Sequence, residues 1–181
     1  MRFRSLILAA FLAAGPAPIV FTPGSANRHA QAYFACALEA ARRLGRRAIF
    51  LTSHRAQVPE NLPATVLWQS WLPFHALLPH VALLVHHGGI GTTAEALRAG
   101  IAQLVVPLAF DQFDNGARVR ALGAGDSFLK ARVKPGAMVN KLRRLLESQA
   151  VRTRCQALAA RCREDLGKDG MQALCMAIEA A

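Results

Sequence analysis

The chain has 181 residues, enough for one domain with a real core, and carries 22 Lys and Arg against 11 Asp and Glu, a formal charge of +11. That balance favours anionic partners such as phosphates, nucleic acid or acidic lipid, and does not choose among them. No apolar run is long enough to span a bilayer, and Cys36, Cys155, Cys162 and Cys175 lack CxxC spacing; buried free thiols, no metal site and a cytoplasmic setting are expected.

In chain order, Arg2 and Arg4 precede a short apolar stretch, Leu6 to Ala14, that could pass for a signal peptide. Pro16 and Pro18 crowd its only plausible cleavage region, so residues 1–17 are expected to be a linker helix ending at Gly15, ahead of a domain spanning 18–181. Pro18 to Thr22 reads as a buried strand that turns at Pro23-Gly24. From Arg28 to Leu44 the apolar Ala30, Phe34, Ala37, Leu38 and Ala41 recur at helical spacing, and Gly45 stops the helix. The strand AIFLT follows at once. Short apolar runs then alternate with helical ones: ATVLW, VALLV, a helix from Thr92 to Ala99, QLVVP, and a helix from about Asn115 to Leu122. Strands apolar on both faces and separated by helices imply a doubly wound, Rossmann-like α/β domain with a parallel sheet covered on both sides.

Beyond Pro135 no further strand is predicted. Three helical segments are expected, the first burying Met138, Leu142, Leu145 and Leu146, the next Val151, Cys155, Leu158 and Cys162. Ten Lys or Arg and one acid, Glu147, lie between Lys130 and Arg163. A solvated helix surface accounts for most of that charge, and peripheral contact with anionic lipid is the functional alternative.

The chemistry concentrates in HHGGIGTTAE, His86 to Glu95, directly after VALLV. A strand that runs through glycines into a helix aims free N–H groups and a positive dipole end at one point, which suits a phosphate. Gly88, Gly89 and Gly91 let an anion come close, Thr92 and Thr93 offer hydroxyl donors, and His87 can donate a further hydrogen bond. The stretch Gly89 to Ala94 also satisfies the G-x-G-x-x-G/A dinucleotide fingerprint, with Asp111 about twenty residues on, so an NAD-dependent oxidoreductase is the alternative reading. Against it, this fingerprint follows about the fourth strand rather than the first, and it has no use for His87 or Glu95. A basic nucleic-acid-binding module rests on net charge alone.

A longer pattern fits better. From Trp71 to Gln112 the chain reads WLPFHALLPHVALLVHHGGIGTTAEALRAGIAQLVVPLAFDQ, and this resembles the nucleotide-sugar box of GT-B glycosyltransferases: W-x-P, an H-x-G-x-G/N-S/T-x-x-E core, and a closing P followed by D-Q. PIVFTPGSAN and AFDQFDNGARVRALGAG extend the likeness, which is similar in particular to rhamnolipid-type rhamnosyltransferases. The resemblance implies the C-terminal, donor-binding half of a GT-B fold that takes a UDP- or TDP-sugar as substrate, with no separate cofactor. It implies that Trp71 stacks on the base, that His87, Gly89, Gly91 and Thr92 surround the diphosphate with Ser25 as a further contact, and that Glu95 accepts from the ribose. Asp111 and Gln112 would hold hydroxyls of a transferred hexosyl group. Phe74 departs from the glutamine that many members carry there.

In that family the acceptor pocket and catalytic base lie in the N-terminal half, and His29, His54, His75 and His80 lack an obvious acid partner in the sequence. No catalytic residue is assigned. The chain is expected to bind donor without turnover, to meet an acceptor-domain partner chain or a second copy of itself through an open apolar face, and to serve a lipid or small-molecule acceptor.

Overall fold

In a computed structural model, residues 2–25, 27–128 and 133–165 are described. Six parallel strands form one sheet in the order β3-β2-β1-β4-β5-β6, with β1 Ile19–Thr22, β2 Ala48–Leu51, β3 Val66–Gln69, β4 Leu83–His86, β5 Ala102–Val105 and β6 Gly125–Ser127. The helices are α1 Arg2–Ala13, α2 Gln31–Arg43, α3 Phe74–Leu77, α4 Ile90–Ala99, α5 Gln112–Ala121, α6 Pro135–Glu147 and α7 Gln149–Asp165. The doubly wound class expected from the sequence is what forms.

Every residue of β1, β2, β4 and β5 is buried, as strands covered on both faces require. One core gathers Phe21, Phe34 and Phe50 under α2 with Met138 and Leu142 of α6; the other gathers Val20, Ile49, Leu77, Leu84 and Ala96 under α1, α3 and α4. The Phe34 and Phe50 rings lie 5.0 Å apart and the Phe21 and Phe50 rings 5.7 Å apart. Burying each such ring contributes about 1.5–3 kcal/mol, so this trio fastens α2 to the sheet. On the opposite face Leu8, Phe11 and Leu12 of α1 pack on the second core. Arg47 ties down the end of that helix by donating to the carbonyls of Phe11 and Pro16, with its guanidinium 4.1 Å from the centre of the Phe11 ring.

Several boundaries differ from the sequence reading. Helix α4 begins at Ile90 rather than Thr92, because Gly89 takes the N-cap position and Gly91 enters the first turn. Helix α5 begins at Gln112 rather than near Asn115: Phe110 adopts a left-handed φ of 57° and turns the chain so that the polar run after it can wind at once. Strand β6 was not anticipated, since Gly-Asp-Ser has no strand pattern of its own and is held by pairing with Gln103 to Val105. Helices α6 and α7 bury Met138, Leu142, Leu145, Cys155 and Leu158 as expected, while Leu146, Val151 and Cys162 are half-buried and the third helical segment lies outside the described residues. Cys36 and Cys155 are buried free thiols. Among the described residues, no helix is long and apolar enough to cross a membrane.

Candidate functional site

The sheet order places the topological switch between β1 and β4, where loops leave toward opposite faces and a crevice opens beyond the strand ends. A cleft of about 720 Å³ occupies that position. It brings together Ser25 from the turn after β1, Trp71 from the loop after β3, and His87, Gly89, Gly91, Thr92 and Glu95 from the turn and helix after β4. Seven of the nine residues singled out in the sequence therefore share one cleft. The other two, Asp111 and Gln112, do not line it.

The turn after β4 is shaped by contacts that only glycine allows. Gly88 has φ +97°, and a Cβ there would lie 2.7 Å from Val105 Cγ1 and 3.0 Å from the Gln112 carbonyl oxygen. The His87 ring is wedged between two more: a Cβ on Gly24 would sit 2.7 Å from His87 Cε1, and one on Gly89 would sit 2.6 Å from Nε2. Gly91 faces open space, so its backbone is approachable. Gly89 makes no side-chain cap, and the first bond back within α4 is Thr93 N–H to the Gly89 carbonyl at 3.0 Å. The N–H groups of Ile90, Gly91 and Thr92 are thus left for a ligand by the geometry of a helix start. Thr93 does not join them: it is buried and its hydroxyl donates to the Gly89 carbonyl at 3.0 Å, so only Thr92 keeps the role first given to both.

The two histidines divide. His86 is fully buried, with its Nδ1 accepting from Gly88 N–H at 3.1 Å and its Nε2 2.9 Å from Gln103 Oε1, which sets the Nε2–H tautomer. Burial pushes its pKa down to about 3. His87 instead stands between the cleft and a smaller cavity of about 140 Å³ lined by Pro23, His29, Tyr33 and Leu108. Burial lowers its pKa too, opposed by the nearby Asp111 carboxylate, and its Nδ1 has no hydrogen-bond partner among the described residues. A diphosphate beside this ring would favour its protonated, doubly donating form.

Trp71 is 69% exposed, which suits a stacking face. Trp68 is the structural tryptophan, its indole N–H donating to the Thr52 carbonyl at 3.0 Å. Glu95 lines the cleft and accepts from Arg98 at 2.6 Å, an ion pair partly open to solvent. Asp111 Oδ2 accepts from Asn115 Nδ2 at 2.8 Å, and Gln112 Oε1 accepts from the N–H groups of Leu108 and Ala109 at 2.8 and 3.1 Å. These bonds fold the β5–α5 loop, leaving Asp111 Oδ1 and Gln112 Nε2 outside them.

Two positioning residues escaped the sequence reading. Gln103 bridges His86 and the Thr93 carbonyl from inside β5, and Asn115 joins Asp111 to the Gly88 carbonyl at 2.9 Å. The signal for Gln103 was there, a lone amide in the apolar run QLVVP, and an amide buried in a strand must find partners. Nothing comparable marks Asn115, which sits among other polar residues.

Fold and cleft define a doubly wound α/β domain whose ligand crevice lies at the switch point, fed by a glycine turn after the fourth strand. Residues 38–166 match the family described as Erythromycin biosynthesis protein CIII-like, C-terminal domain, and the chain belongs to this family of GT-B glycosyltransferase domains. O-mycaminosyltylonolide 6-deoxyallosyltransferase of Streptomyces fradiae is 33% identical over 93% of this chain and 39% of its own length. Vancomycin aglycone glucosyltransferase of Amycolatopsis orientalis is 38% identical over 65% of this chain and 29% of its own. The solved glycotransferase of kitacinnamycin superposes with a TM-score of 0.82 at 25% identity, over 92% of this chain and 43% of that one. The chain thus spans less than half the length of these relatives.

Proposed function

We propose that this chain is the donor-binding domain of a glycosyltransferase, taking the nucleoside diphosphate of a UDP- or TDP-sugar in the cleft between β1 and β4. The observation that carries this reading is the convergence of Ser25, Trp71, His87, Glu95 and the opening turn of α4 on that one cleft. Trp71 stacks on the base, Glu95 accepts from the ribose, and His87 with the N–H groups of Ile90 to Thr92 surrounds the diphosphate. As the bond from the anomeric carbon to the diphosphate breaks, negative charge grows on the leaving oxygens, and donors already aimed there stabilise it. Asp111 Oδ1 and Gln112 Nε2 are the free acceptor and donor for hydroxyls of the departing hexosyl group. The acceptor is a lipid or small molecule, a class supported by relatives named for O-mycaminosyltylonolide, vancomycin aglycone and sterols. Deprotonating its hydroxyl takes a base that no residue of this chain is assigned, so the chain by itself is expected to bind donor and transfer none.

Two features oppose the oxidoreductase alternative. The fingerprint glycines follow β4, not β1, and Asp111 follows β5, where Asn115 holds it, instead of ending the strand next to β1. Calorimetric titration of the chain with UDP, TDP and NAD tests the proposal. Saturable binding of UDP or TDP with none for NAD is the expected result; binding of NAD alone would overturn it.

A further inference from the structure

In a parallel α/β sheet the helices run against the strands, so their C-terminal ends collect at the pole opposite the cleft. Here those ends are rich in arginine. Arg42 lies in the last turn of α2, Arg46 in the turn before β2, Arg120 at the end of α5, and Arg143 and Arg144 near the end of α6. None of these five guanidiniums has a hydrogen-bond or ion-pair partner among the described residues. Two adjoining recesses flank the C-terminal half of α6: one sets Arg46 and Arg143 beside Arg43, the other sets Arg120 and Arg144 beside Lys141. The carboxylates lining them are Asp126, which Lys141 pairs, and Glu147.

Neutralising helix C-termini does not account for this charge. Each helix end presents roughly half a negative charge, about −1.5 for the three helices, against five full unpaired guanidiniums. The surplus is gathered at one pole, away from the ligand cleft.

We infer that this pole docks on an anionic bilayer, with acidic phospholipid headgroups meeting the arginines and the cleft facing the aqueous side. The surface suits a headgroup plane better than nucleic acid. No Phe, Tyr or Trp lines either recess among the described residues, so neither recess offers a base a stacking face. The inference is independent of what the cleft binds.

Co-sedimentation of the full chain with phosphatidylcholine vesicles, with and without phosphatidylglycerol, tests it. Partitioning onto the mixed vesicles that falls as salt is raised is expected. Each arginine near the surface is worth about a fivefold change in partitioning, so the combined variant Arg46→Gln, Arg143→Gln and Arg144→Gln should lose about a hundredfold. Its unchanged thermal melt and unchanged affinity for UDP or TDP would show that it is folded. Vesicle-bound wild type should also take up UDP or TDP as well as free protein does. Equal partitioning onto neutral vesicles, full partitioning by the variant, or competition between vesicles and nucleotide would overturn the assignment. Tighter binding to duplex DNA than to the mixed vesicles at the same salt would overturn it in favour of nucleic acid.

Discussion

The two ends of the sheet are built from the same elements and carry opposite chemistry. At the cleft end the helices begin, and glycines and short polar residues leave N–H groups, an imidazole and an indole face open. At the other pole α2, α5 and α6 stop, and arginines crowd their last turns. The contrast follows from parallel winding, which points the dipoles of α2, α4, α5 and α6 the same way and gives each pole a sign that side chains can complete. Within the cleft end a second division holds. His86, Gln103, Thr93 and Asn115 spend their polar atoms on the fold, whereas His87, Trp71 and Thr92 face the space a ligand would enter.

The sharpest break in that division should come from Gly88→Ala. A side chain there is strained at φ +97° and collides with Val105 and Gln112. A loss of about 3 kcal/mol in urea denaturation is expected, together with lost nucleotide binding. A loss below about 1 kcal/mol would mean that the turn relaxes around the new methyl group.

His87→Ala should do the reverse, leaving the urea midpoint nearly unmoved while weakening UDP or TDP by about 1.5–3 kcal/mol in calorimetry. Unchanged nucleotide affinity in the folded variant would take His87 out of the site.

His86 supplies a pH test. Its pKa is about 3 in the folded chain, because burial strips water from the charged form, and 6.5 is the ordinary value. Between those values the unfolded chain binds a proton that the folded chain does not. Its contribution is therefore whole above about pH 6.5 and is lost as the pH falls toward 3, by up to about 1.4 kcal/mol per pH unit. His86→Asn should flatten that decline in urea midpoints measured across the window; an identical slope would assign the acid sensitivity to other groups.

Asp111→Asn separates the base and phosphate region from the sugar region. The variant should keep UDP affinity within about 0.5 kcal/mol and lose about 1 kcal/mol or more on the intact sugar nucleotide. Equal losses on both ligands would place Asp111 at the diphosphate. The smallest effect is expected at the far pole, where Arg143→Gln should change stability by less than about 0.5 kcal/mol in the same urea assay, as a solvated surface charge does.

Much of this was legible along the chain. Two-sided apolar runs such as AIFLT and VALLV can only be inner strands, and their alternation with helices leaves a doubly wound sheet as the economical solution. The glycine turn could be located for the same local reason, that a strand passing into a helix through His87-Gly88-Gly89 leaves its backbone bare. Tertiary structure decided which of two neighbouring histidines serves the fold. Successive strand residues point to opposite faces, so the sequence determines that His86 and His87 differ but not which of them meets Gln103. It decided as well that β6, with no pattern of its own, joins the sheet, and that Asp111 and Gln112 brace a loop before they can meet any ligand. The arginine pole belongs to the same class: Arg46, Arg120 and Arg143 are far apart in the chain, and only the common direction of the helices brings them to one surface. Local pattern is set by covalent order, while partnership depends on which distant segments the packing of the core brings within reach.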